Sequence, residues 1–146
     1  MKKHHAHGKL LITGEYLVLK GATALAIPLN KGQTLSVEIS NKEGLLWRAE
    51  TPIGLWFEAK YDNNLNLLES TDYKKAKALQ QMLQKSMEQN PSIQSKLNHS
   101  SVVTMLEFDP SWGWGSSSTL LHLLGQWLEI DPYQLMDETI GGSGYD

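Results

Sequence analysis

Apolar and polar residues change rhythm along this chain, and the changes mark its elements. Between Gly8 and Leu19 two short apolar runs, Leu10 to Ile12 and Tyr16 to Leu19, are separated by Thr13, Gly14 and Glu15. Runs of this length bounded by such residues read as buried strands. Ala22 to Pro28 is a further apolar stretch, closed by its proline. The period then becomes two: Leu35, Val37 and Ile39 alternate with Ser36, Glu38 and Ser40, which predicts a strand with one face in the core. Asn41 to Gly44 supply a turn, and Leu45 to Ala49 and Leu55 to Tyr61 predict antiparallel strands around Pro52 and Gly54.

Beyond Ser70 the period lengthens. Ser70, Thr71 and Asp72 offer helix caps, and Ala76, Leu79, Met82, Leu83 and Met87 recur at helical spacing until Asn90 and Pro91 close the helix. Ser101 to Phe108 is a β-rich run stopped by Asp109 and Pro110, and it leads into the sequence SWGWGSSS. Leucines at 120, 121, 123, 124 and 128, with Trp127, predict a buried helix over Thr119 to Leu128. A short last helix is signalled by Asp131 as cap, Pro132 in the first turn and Gly141 beyond the end. The expected fold class is α+β, an antiparallel-rich sheet with helices on one face, as one domain over residues 1–146.

Composition narrows the partners. With 146 residues, 40% of them hydrophobic, the chain can build one real core. Its 13 basic and 16 acidic residues are mixed, giving a net charge of -3 and no positive field to hold a nucleic-acid backbone. The absence of cysteine excludes disulfides and thiolate metal sites, which fits a cytoplasmic protein. Nothing approaches the ~18 apolar residues of a membrane span, and Met1 to His7 lacks the apolar core of a signal peptide. Lys3, His4, His5 and His7 read as a flexible polar terminus, because a metal would need ligands fixed by a supporting shell.

The candidate chemistry lies between the last strand and the buried helix. Gly113 and Gly115 let a backbone approach a ligand closely, and the first amides of the following helix have no acceptor within it. Ser116, Ser117 and Ser118 add hydroxyls for phosphate oxygens or magnesium. The plainer alternative is a tight turn with serine caps. The loop is neither a GKS/GKT phosphate loop nor a dinucleotide fingerprint, since G-x-G is followed here by serines.

Three segments resemble the GHMP kinases, the family of galactokinase, homoserine kinase, mevalonate kinase and phosphomevalonate kinase. HGKLLITGEYLVLKGATALAIPL, His7 to Leu29, is similar to the family's opening motif; WGWGSSS is similar to its phosphate loop, P-x-x-x-G-L-G-S-S; and GGSGYD resembles the segment that ends in its catalytic aspartate. They occur in the family's order between residues 7 and 146, while Asn41 to Ser101 adds only a compatible pattern.

The resemblance implies an amino-terminal nucleotide-binding domain with a ribosomal-protein-like fold and a left-handed βαβ crossover. It implies an ATP- and magnesium-dependent kinase of a small molecule, mevalonate or phosphomevalonate favoured. Asp146 matches the general base and Lys9 the lysine beside it; a carboxylate so placed accepts the hydroxyl proton while the cation offsets charge in the transfer. Gly113, Trp114, Gly115, Ser116, Ser117 and Ser118 match the phosphate cradle, Ser117 also the magnesium hydroxyl, and Glu138 the acidic magnesium ligand at a shorter spacing. Trp114 stands where the family has leucine, and Pro110 is one residue closer to the loop than the pattern has it. Family members also carry a carboxyl-terminal half with another glycine-rich segment, so the expectation is an incomplete domain that buries its cut face as a homo-oligomer, swapped or not. The competing readings are a non-catalytic nucleotide- or phosphate-binding module and a scaffold.

Overall fold

The computed structural model describes residues 2–11, 26–112 and 116–139. Six strands form one sheet: β1 (Lys2–Leu11), β2 (Ala26–Ile39), β3 (Leu45–Thr51), β4 (Gly54–Tyr61), β5 (Leu67–Ser70) and β6 (Ser100–Leu106). The helices are α1 (Tyr73–Gln89), the single turn α2 (Gln94–Leu97), α3 (Ser116–Leu128) and α4 (Pro132–Thr139). The spatial order is β1-β2-β6-β3-β4-β5. β6 runs antiparallel to β2 and parallel to β3, and the remaining neighbours are antiparallel. A parallel pair needs a crossover connection, which α1 supplies between β5 and β6. The fold is therefore α+β with a mixed sheet.

Alternation along the strands decides which face is covered. Leu35 and Val37 of β2, Trp47 and Ala49 of β3, Phe57, Ala59 and Tyr61 of β4, and Val102 and Leu106 of β6 are buried. Glu38, Arg48, Lys60 and Met105, on the opposite face, are exposed. The buried face meets Ala76, Leu79, Met82 and Leu83 of α1 and Leu120, Leu121, Leu123 and Leu124 of α3 in one continuous core. Each fully buried leucine contributes roughly 1.5–3 kcal/mol relative to exposure. α3 lies over β1 and β2, α1 over β4 and β5, and α4 closes against both helices.

Two expectations are corrected. Lys2 to His7 is not a flexible tail: it pairs with Gly32 to Val37 as the first part of β1. Ala6 and Gly8 are buried and His4 half-buried on one face of the pleat, while Lys3, His5 and His7 are exposed on the other. Ile39, in phase with the core positions, is 93% exposed as the last residue of β2. β5 carries no apolar alternation and was not foreseen; Leu67 to Ser70 is a strand because its backbone pairs with Ala59 to Tyr61. The expected strand over Tyr16 to Leu19 and the stop at Gly141 lie outside the described residues.

The remaining boundaries follow local chemistry. Asp72 caps α1 by accepting from the Lys75 amide at 3.1 Å. Asp131 does the same for α4, its Oδ1 accepting from the Tyr133 amide at 2.9 Å.

Candidate functional site

The strand and the helix expected on either side of the glycine-serine segment are present. β6 ends at Leu106, Phe108 is buried behind it, and the Asp109 carboxylate folds the next residues into a single 3-10 turn, Pro110–Trp112. It does so by accepting from the Ser111 amide at 2.8 Å and the Ser111 hydroxyl at 2.7 Å. The amide bond first, and then the hydroxyl bond, hold the Asp109 carboxyl below the ordinary aspartate range. α3 then begins at Ser116. Gly113, Trp114 and Gly115 lie outside the described residues, as does Asp146.

At the α3 entrance Ser116, Ser117 and Thr119 are buried, and Ser118 is half-buried. The Ser117 hydroxyl oxygen is shut off from solvent and has no hydrogen-bond partner among the described residues. Close by, the Thr119 hydroxyl lies 2.8 Å from Gln33 Oε1 and 3.0 Å from the Ser116 carbonyl oxygen. Gln33 is itself fully buried on β2, and its Nε2 has no partner among the described residues. A buried polar atom left without a partner costs about 1–3 kcal/mol, so two at one helix entrance are costly unless something else satisfies them.

The direction of α3 relates Lys9 to this entrance. Thr119 stands beside Gln33, which pairs with Ala6, whereas Trp127 near the far end shares a pocket with Lys2. The helix entrance therefore points along β1 toward its Gly8 to Leu11 end. Lys9 stands there, opposite Pro28, just past a shift of register between His7 and Lys9. Glu138 is exposed on α4 and accepts from Gln134 Nε2 at 3.0 Å; no hydrogen bond or ion pair joins it to Ser117. Among the described residues no cluster of three or more His, Asp or Glu side chains is arranged to hold a metal ion.

A cavity of about 360 Å³ opens beside the turn that leads to α3. Ile53, Leu55, Trp56, Phe108 and Pro110 give it an apolar lining, and Lys31 and Asp109 stand at its edge. Glu107 links this corner to β1. Its Oε1 lies 2.7 Å from His5 Nε2 and accepts from the Gly32 amide at 2.8 Å. The His5 bond is the larger cause that lowers the Glu107 carboxyl below its ordinary range, with the Gly32 amide and the His7 charge adding to it.

The Gln33 and Thr119 pair was not identified from the sequence. Its signal is Gln33 standing in phase with Leu35 and Val37, a polar residue on the core side of an alternating strand. No protein-family model matches the chain, and no curated protein matches it. Among the described residues no helix is long and apolar enough to cross a membrane.

Proposed function

We propose that this chain is the nucleotide-binding domain of an ATP- and magnesium-dependent small-molecule kinase of the GHMP type, with mevalonate or phosphomevalonate as the favoured acceptor. The observation that carries the reading is the Ser117 hydroxyl, buried and unpartnered among the described residues in the first turn of α3. A hydroxyl in that position suits a phosphate oxygen or a hard cation, and the amides of the same turn add donors and the positive end of the helix dipole. Bound magnesium would offset charge on the transferring phosphoryl group.

The residues divide the work by chemistry. Ser116, Ser117, Ser118 and the α3 amides hold the phosphates, Lys9 offsets charge in the transfer, and Asp146 accepts the proton of the acceptor hydroxyl. Glu138 is the weakest member of the set, since its carboxylate is engaged with Gln134. The apolar cavity beside Pro110 is of a size and character to take a nucleobase.

Calorimetric titration with ATP and magnesium tests the binding step. Saturation at a hundred times the dissociation constant stabilises the fold by about 2.7 kcal/mol, read as a rise in Tm. Absence of both heat and thermal shift would leave a scaffold as the surviving alternative. Turnover of mevalonate or phosphomevalonate, abolished in Asp146→Asn while ATP still binds, separates a kinase from a module that only binds.

A further inference from the structure

Five buried side-chain atoms lack a partner among the described residues: His4 Nε2, Gln33 Nε2, Trp47 Nε1, Thr104 Oγ1 and Ser117 Oγ. Two of them belong to the α3 entrance, and they come from distant parts of the chain. Gln33 arrives on β2, 86 residues before the Thr119 it touches.

The arrangement around Gln33 leaves one polar atom free whichever way its carboxamide is turned. Thr119 has one hydroxyl proton and two acceptors within reach, Gln33 Oε1 and the Ser116 carbonyl. If that proton goes to Gln33, the NH2 group is left over. If it goes to Ser116, the carboxamide can turn and donate its NH2 to the Thr119 oxygen, which leaves the Gln33 oxygen over. The neighbouring groups decide between the two. Ser117 offers a free hydroxyl and the first turn of α3 offers amides, all of them donors, so the orientation that adds NH2 to them builds a set of like purpose.

We propose that Gln33 is a positioning residue of this entrance: it braces Thr119 with one carboxamide atom and presents the other, with the Ser117 hydroxyl, to an oxygen of a bound phosphate group. The inference deepens the nucleotide reading above and rests on the same site. Both free atoms lie inside the protein surface. The group that satisfies them must therefore enter the body of the domain, which favours a compact oxyanion such as a terminal phosphoryl group over a bulky polar ligand. Leaving such donors unpaired in the empty protein is a stability cost that ligand binding relieves.

Gln33→Met, close in shape but without the carboxamide, gives opposite signs for the two roles. A phosphate-contacting Gln33 predicts an unchanged or raised Tm for the free protein together with at least a tenfold weaker affinity for inorganic tripolyphosphate and for ATP. A purely structural Gln33 predicts a lowered Tm with affinities within twofold of the original, and that result overturns the proposal. The unsubstituted protein supplies a readout independent of folding of the variant: the Gln33 side-chain NH2 resonances should shift on titration with tripolyphosphate. Resonances that stay fixed while tripolyphosphate binds would assign Gln33 to an ordered water only, and the proposal fails. Tripolyphosphate binding without ATP binding removes the kinase reading and keeps Gln33's role, whereas binding of neither removes both.

Discussion

At the scale of single residues, the buried polar groups carry more information than the apolar ones. Tyr61 is 1% exposed on β4, yet its hydroxyl donates to the Ala76 carbonyl of α1 at 2.6 Å, joining the sheet to the helix. Burial pushes its phenol well above the ordinary tyrosine value. Tyr61→Phe removes the donor and leaves Ala76 its own helical partner, so the expected loss is about 1 kcal/mol, measured by urea unfolding. Gln33 is the contrasting case, since one end of its carboxamide is satisfied and the other is not. The sequence displays both residues in the correct phase for burial. It does not display the partners, because Ala76 and Thr119 reach Tyr61 and Gln33 only through packing across the sheet. Ser117 was legible as a candidate site residue from the glycine-serine pattern, whereas its lack of a partner among the described residues is visible only in three dimensions.

At the scale of elements, the helices and the period-two strands were legible because their patterns are local. Ala76, Leu79, Met82 and Leu83 mark α1, and Asp72 caps it where the sequence placed a cap. The Lys2 to His7 part of β1, and β5, were hidden for a different reason. Their residues are polar or short-patterned, and they become strands by pairing with β2 and β4. The join of β1 to β2 also depends on one glycine. A Cβ at Gly32 would stand 1.9 Å from the Ala6 carbonyl oxygen, and the Gly32 amide is already used by Glu107. Gly32→Ala must therefore push β1 away just before the shift of register that leads to Lys9. The expected cost is about 1–3 kcal/mol in chemical denaturation, with a loss of protection of the Ala6 and His7 amides in hydrogen exchange. Gly44→Ala makes a useful comparison, since it strains a φ of +92° and meets the Tyr61 carbonyl oxygen at 2.4 Å, far from the α3 entrance. Both substitutions should lower stability, but only Gly32→Ala should weaken tripolyphosphate binding.

At the scale of the whole molecule, β6 is inserted between β2 and β3, and no local pattern announces this. The insertion brings Gln33, from the first strands, under the helix that follows β6, and so assembles the candidate site from both ends of the chain. Charge acts at this scale too. Asp62, Asp72, Glu107 and Asp109 all titrate below their ordinary values of 3.8 for aspartate and 4.5 for glutamate. The leading causes are hydrogen bonds from the Asn66 side chain, the Lys75 amide, His5 and the Ser111 amide respectively. A carboxyl whose folded value is depressed stabilises the fold fully above its unfolded value, and that contribution drains as pH falls through the folded one. Tyr61 has the opposite sign. Its raised phenol stabilises the fold below the ordinary value of 10.0 and loses that contribution as pH rises above it. Thermal unfolding against pH should therefore show a plateau from about pH 5 to about pH 9 with a fall on either side. Glu107→Gln should make the acid limb shallower without touching the alkaline one, and Tyr61→Phe should do the reverse. An acid limb unchanged in Glu107→Gln would mean that the His5 contact does not hold β1 to the end of β6 in solution, and the alignment of Lys9 with the α3 entrance would then lose its brace.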